Sequence, residues 1–185
     1  LARNRLLLGT GLSYTTNDQL EFFANFSQNY RSVTFSDIRI VNPSFQVDPD
    51  ITDEDGYTTD AGLRGNAGRF TYDVNLFGLR YNGRLGEVLT PETRTNVDGE
   101  EVQTVRIIRL RGNIGSAFIY GLESLVEWNI LKGKSKGGRA YTATAFANTS
   151  LTRSVYTDSE IAGVEGNEVE FIPFLNLKTG VRFGY

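Results

Sequence analysis

The stretch Leu20-Glu21-Phe22-Phe23-Ala24-Asn25-Phe26-Ser27-Gln28-Asn29-Tyr30-Arg31 decides the fold. Successive side chains of a β-strand leave opposite faces of the sheet. Leu20, Phe22, Ala24, Phe26 and Tyr30 therefore share one face, and Glu21, Asn25, Ser27 and Asn29 share the other, with Phe23 as the exception. Just upstream, Leu6, Leu8, Thr10, Leu12 and Tyr14 oppose Gly9, Gly11 and Ser13. Asn17-Asp18 between the two segments reads as a tight hairpin turn.

The same alternation recurs along the chain. Tyr57, Ala61 and Leu63 oppose Asp60, Arg64 and Asn66. After a turn at Ala67-Gly68, Phe70, Tyr72, Val74 and Leu76 oppose Thr71, Asp73 and Asn75, and the phase slips near Phe77-Gly78, where a β-bulge is expected. Phe118, Tyr120, Leu122, Val126, Trp128 and Ile130 oppose Gly121, Glu123, Glu127 and Asn129. Tyr141, Ala143, Ala145 and Ala147 oppose Thr142, Thr144 and Asn148, and Leu175, Leu177, Val181, Phe183 and Tyr185 oppose Asn176, Lys178, Gly180 and Arg182. This makes about seven strands. In none of them does a charge fall on the apolar face. Glu21, Asp60, Arg64, Asp73, Glu123, Glu127, Lys178 and Arg182 all lie opposite it.

Connections alternate as well. Short ones fall at Asn17-Asp18, Ala67-Gly68 and Lys132–Arg139. Long ones span roughly Arg31–Gly56, Asn82–Ser116 and Arg153–Pro173. Soluble domains rarely carry several loops of this length, whereas outer-membrane barrels pair short periplasmic turns with long extracellular loops. Tyr14, Phe70, Tyr72, Trp128, Tyr141 and Tyr185 fall near the short-turn ends, and Tyr30, Tyr57, Phe118 and Tyr120 near the long-loop ends. Together with Phe22, Phe26 and Phe183 they form the lipid-facing surface and its two aromatic girdles. The fold expected is all-β, a transmembrane antiparallel up-and-down β-barrel. A soluble β-sandwich is the competing reading, since it also alternates.

Composition narrows the function. With 39% hydrophobic residues and no apolar run of about 18–20 residues, a helical membrane protein is excluded. A net charge of −3 supplies no basic face for nucleic acid. The chain has no Cys and no His, which removes thiol chemistry, the usual zinc sites and the commonest general base. It also has no Met and shows no signal-peptide pattern over Leu1–Thr16. A sheet in lipid must close, because unpaired backbone groups are costly there, and about seven strands do not comfortably close. The expectation is therefore that residues 1–185 are a partial barrel whose remaining strands lie elsewhere.

Several of these segments, in order, resemble the barrel of TonB-dependent receptors. Leu20–Arg31 resembles a barrel strand leading into an extracellular loop, and Asn42-Pro43 with the acidic run to Asp55-Gly56-Tyr57 resembles the return. Phe70–Phe77 with Arg80-Tyr81-Asn82 and Ile119-Tyr120-Gly121-Leu122-Glu123 resemble later strands, as do Pro173, Asn176-Leu177 and Gly180-Val181. The likeness is closest to the ferric-citrate-receptor-like branch found in Bacteroidetes-type bacteria. It implies a barrel of about 22 strands around a plug, located in the bacterial outer membrane, which binds an iron chelate or siderophore outside and imports it with TonB. It implies as partners the TonB complex, reached through the plug, and membrane lipid and lipopolysaccharide. No cofactor is implied. A passive porin or a non-transport barrel is the alternative function.

No catalytic constellation stands out. Glu123 and Glu127 lie about 13 Å apart along a strand, too far for a retaining glycosidase pair. Asp48, Asp50, Asp53, Glu54 and Asp55 could hold calcium, but they lack the regular loop spacing and also read as a plain acidic loop. An anionic chelate calls for guanidinium groups, which grip carboxylates in bidentate fashion. The candidates are Arg31 and Arg39 in the first long loop, and Arg94, Arg106, Arg109 and Arg111 in the second. Thr104–Gly112 alternates enough to form a hairpin arm with Glu87–Asn96.

Overall fold

The computed structural model describes residues 4–17, 19–40, 42–94, 104–134 and 137–185. The elements run β1 (Gly9–Asn17), β2 (Leu20–Arg31), α1 (Phe35–Ile38), β3 (Phe45–Val47), β4 (Glu54–Ala67), β5 (Phe70–Arg94), β6 (Thr104–Lys134), β7 (Ala140–Asp158) and β8 (Leu175–Gly184). One sheet takes them in the order β1-β2-β4-β5-β6-β7-β8, and β3 stands off this path, parallel to β6. Every neighbouring pair on the main path is antiparallel. This is the up-and-down connectivity of a barrel wall, with the seven long strands that the alternation predicts. The second, facing sheet of a β-sandwich is not formed among the described residues.

Register converts the alternation of each strand into rows across the sheet. One row crosses all seven strands as Leu12, Ala24, Ala61, Leu76, Leu122, Leu151 and Leu175. A neighbouring row on the opposite face reads Thr15, Glu21, Arg64, Asp73, Leu125, Asn148 and Lys178. A one-residue slip in any pair would mix the two faces, so the clean separation shows that pattern and register agree. Leu12, Leu76 and Leu175 are 75%, 62% and 51% exposed. Among the described residues nothing covers these positions of the apolar face.

Rings cluster at both ends of that face. Phe70 stacks on Trp128 with centroids 5.9 Å apart, one pair from the short turn that joins β4 to β5. At the far end Phe26 lies 5.8 Å from Tyr57, and Phe118 lies 5.4 Å from Tyr120. From Phe118 to Trp128 the strand covers about 33 Å, or roughly 24 Å once tilted by about 45°. That height is the apolar band of an outer-membrane barrel.

The polar face explains two irregularities of the sequence. Phe23, which breaks the alternation, lies against Gly62, where a Cβ would come within 2.8 Å of its ring. Phe77 covers Gly121 in the same way at 2.9 Å, and Phe146 covers Gly180 at 2.7 Å. Each ring fills the space beside a cross-strand glycine. The slip near Phe77-Gly78 is therefore no bulge: both residues stay in register with β4 and β6, and the irregularity falls at Tyr81–Leu85. A Cβ at Gly121 would run into the carbonyl oxygen of Leu151 as well as the Phe77 ring. Gly121→Ala is expected to destabilise the sheet by about 1–3 kcal/mol, read as a lower urea midpoint; an unchanged midpoint would refute the close approach.

Other boundaries shift. The hairpin turn is Gly68-Arg69 rather than Ala67-Gly68, since Ala67 pairs with Phe70; Gly68 supplies the positive φ of 62°. Asp18 of the first turn lies outside the described residues. The long connection placed at Asn82–Ser116 is mostly strand, because β5 and β6 stay paired far beyond the aromatic row. The apolar face is also not free of charge at the long-loop end. Arg80 sits between Tyr57 and Phe118, and Arg153 pairs with Tyr120. Both strands run further than the alternation alone suggested, and their guanidiniums stand at the level of the rings.

Most of the buried apolar packing lies at the same end. Ile114, Ala117, Tyr156 and Val169 form a small core against which Val88, Ile161, Val164 and Ile172 pack. This core fixes the 159–174 connection to the base of the β5–β6 arm.

Candidate functional site

At the long-loop end, β5 and β6 form the predicted arm, with Gly86 opposite Gly112 and Arg94 opposite Thr104. Asn96, expected at the tip, lies outside the described residues. The first long connection folds onto this arm. Thr34-x-x-Asp37 is a helix-start spacing, and the Asp37 carboxylate accepts hydrogen bonds from the Thr34 amide (2.9 Å) and hydroxyl (2.7 Å), closing the single turn α1. Beyond it, β3 adds in parallel to β6, with Phe45 beside Arg109 and Val47 beside Arg111. Gln46 donates to Glu92 at 2.7 Å, and Asn113 accepts from the Thr52 amide at 2.7 Å.

The six arginines do not form one cluster. Arg31 and Arg111 converge on Asp37, Arg31 at 2.9 Å and Arg111 through an even closer contact. Asp37 is 2% exposed. Burial opposes its ionisation, but the hydrogen bonds from Thr34 and Arg111 and the charge of Arg31 outweigh it, so the carboxyl is held well below its usual range. Arg31 also faces Glu54 at 3.8 Å, and Arg111 faces Glu87 at 3.5 Å. Both guanidiniums are thereby committed to the fold. Arg106 projects from the other face of β6 and donates to the Ser44 hydroxyl at 2.9 Å. Arg109 lies on the Arg111 face and is exposed, and Arg39, two residues beyond Asp37, is exposed too. Neither Arg39 nor Arg109 makes an ion pair among the described residues. The side chain of Arg94 lies outside the described residues.

The acidic cluster disperses. Asp48 caps the Asp50 amide, Asp53 accepts from Tyr30 and from the Val33 amide, Glu54 accepts from the Leu85 amide, and Asp55 accepts from Asn82. No three carboxylates converge as a metal site among the described residues. Glu127 takes an ion pair from Arg182 at 3.1 Å, while Glu123 stands between Asn75 and Ser150.

Sequence reasoning missed two buried polar centres. One is Asp37, whose signal was the capping spacing after Thr34. The other joins Arg84, Tyr156 and Glu170: Arg84 donates to the Tyr156 hydroxyl, which donates to Glu170 at 3.0 Å, and Arg84 reaches Glu170 at 3.2 Å. No local spacing links these three residues.

One antiparallel up-and-down sheet, bare and apolar on one face, polar on the other and extended at one end into a docked arm, defines the wall of a β-barrel. The family model for the TonB dependent receptor-like beta-barrel matches residues 3–185. The chain belongs to that family, a family of outer-membrane receptors and transporters. No curated protein matches it.

Proposed function

We propose that the chain forms part of the wall of an outer-membrane receptor that binds an anionic iron chelate of the ferric citrate type and imports it with TonB. In this reading the bare apolar face meets lipid. Tyr14, Phe22, Phe70, Tyr72, Trp128, Tyr141, Phe183 and Tyr185 make one girdle; Phe26, Tyr30, Tyr57, Phe118 and Tyr120 make the other. The sheet edges at β1 and β8 pair with further strands of the same barrel, around a plug that couples to the TonB complex. The observation that carries the ligand assignment is the pair Arg39 and Arg109. Arg109 is two residues from Arg111 on one strand face, Arg39 is two residues from Asp37, and Asp37 holds Arg111. In this reading both guanidiniums, exposed and without a carboxylate partner among the described residues, reach the same junction. A citrate carboxylate would supply that partner.

Ferric citrate binding by the receptor tests the assignment. Arg39→Ala with Arg109→Ala is expected to weaken binding at least tenfold, about 1.4 kcal/mol, whereas Arg106→Ala, on the opposite face, changes it little. Unchanged affinity in the double variant rejects the site.

A further inference from the structure

We propose that the tip of the β6–β7 hairpin is a docking surface for peptidoglycan, held through the carboxylates of its stem peptides. The inference rests on the reading that the apolar face meets the bilayer, which puts the short turns in the periplasm. From Trp128 to Thr157 the sequence has no Asp or Glu, while Lys132, Lys134, Lys136 and Arg139 crowd around one turn. Register sets this turn apart from its neighbour. β5 stays with β6 only as far as Phe70 opposite Trp128, where the Asn129 amide donates to the Arg69 carbonyl at 2.9 Å. β6 and β7 continue past that point and pair as far as Lys134 opposite Ala140. The hairpin therefore runs about 10 Å beyond the β4–β5 turn. Arg69, exposed in that turn, donates to the Ile130 carbonyl at 3.3 Å and adds a further cation at the root of the hairpin.

The two faces of the tip differ. Lys132 pairs with Thr142 and Lys134 with Ala140, so both ammonium groups leave the polar face, the one on which the Thr144 hydroxyl donates to Asn129 at 2.8 Å. Both lysines are exposed, and neither has a carboxylate partner among the described residues. The preceding acid of β6, Glu127, is taken by Arg182. Two like charges about 7 Å apart along one strand face repel each other, so the pair suits separate carboxylates spaced along a polyanion. Anionic lipid is disfavoured, because the bilayer lies on the other face. There the Tyr141 ring covers Gly133, and Arg139 lies over the Tyr185 ring at 5.9 Å. A folded protein partner is disfavoured too. Protein interfaces are held by large side chains buried at their centre, and from Lys132 to Ala140 the sequence offers only Lys, Gly, Ser, Arg and Ala. Such a tip meets its partner through charge alone. Peptidoglycan is the carboxylate-bearing polymer of the compartment into which it projects.

Co-sedimentation of the detergent-solubilised receptor with purified peptidoglycan sacculi provides the test. The unaltered receptor is expected to pellet with the sacculi at low salt and to be released at high salt, where exposed charges are screened. Lys132→Glu with Lys134→Glu is expected to weaken binding at least about tenfold. Lys132→Arg with Lys134→Arg should retain most of it, and so should Arg139→Ala on the opposite face. Sacculi whose carboxylates have been amidated should not capture the unaltered receptor, a result that stands even if the glutamate variant fails to fold. Binding that survives the glutamate pair or the amidation overturns the site, as does an equal loss in Arg139→Ala. Capture by phosphatidylglycerol vesicles, lost in the glutamate variant while sacculi stay unbound, overturns it in favour of an anionic lipid. Receptor that inserts into phosphatidylcholine vesicles yet never pellets with sacculi overturns this site alone. Failure to insert overturns the membrane-facing reading with it.

Discussion

Leu122→Arg is expected to destabilise the sheet in a bilayer by about 2–4 kcal/mol, while Glu123→Arg, one residue along the same strand, changes stability by less than about 1 kcal/mol. Leu122 stands midway between the Phe118 and Trp128 ends of β6, in the row with Leu76 and Leu151. If that row meets hydrocarbon, a guanidinium there has neither water nor a carboxylate to solvate it and can only snorkel at the expense of local thinning. Glu123 looks the other way, beside Asn75 and Ser150, where either charge meets polar neighbours. The chain already displays the shallow end of this depth dependence. Arg80 and Arg153 occupy the apolar face at the ring level, where a charge costs only about 0–1 kcal/mol. Trp128, the single tryptophan, reports both folding and lipid contact in urea titrations with vesicles. Equal effects from the two substitutions would remove the lipid-facing assignment.

Strand existence, face assignment and topology were legible because they follow from a period of two that each strand repeats. Leu12, Ala24, Ala61 and Leu76 announce their row before any pairing is known. The arm was legible for the same reason: alternation over Thr104–Gly112 led to pairing with Glu87, which Arg111 confirms. What could not be read is what depends on contacts between distant segments. Phe77 looked like a break in phase because its justification, Gly121, lies on another strand. Arg31 and Arg111 looked like ligand groups because guanidiniums in loops resemble one another until a partner is seen, and Asp37 sits 74 residues from Arg111. Arg80 and Arg153 escaped notice because the alternating segments were ended too early, at Leu76 and Asn148, although the strands continue to the rings and beyond.

Asp37→Ala should release the first long connection from the arm, with a local cost of about 2–4 kcal/mol. Removing one partner of a buried ion pair costs about 3–5 kcal/mol, because the remaining charge is stranded, and the exposure of Arg31 lowers that range. Arg111 is only 19% exposed, and its Nε already lacks a hydrogen-bond partner, so loss of Asp37 leaves it the more frustrated of the two. The three-residue β3 cannot hold the segment by its backbone bonds alone. Amide exchange at Asp48, whose amide donates to the Arg111 carbonyl at 2.8 Å, should therefore accelerate by at least about thirtyfold, with the paired amides of β4 and β7 unaffected. Acid should produce the same release in the unaltered protein. The folded carboxyl titrates below its ordinary value of 3.8, so its contribution is complete above that pH and fades as the pH falls toward the depressed folded value. Asp37→Asn, which cannot titrate, should exchange at a rate independent of pH over that window once intrinsic exchange is corrected. Protection at Asp48 that survives Asp37→Ala would show that the parallel strand, and not the buried carboxylate, holds the loop to the arm.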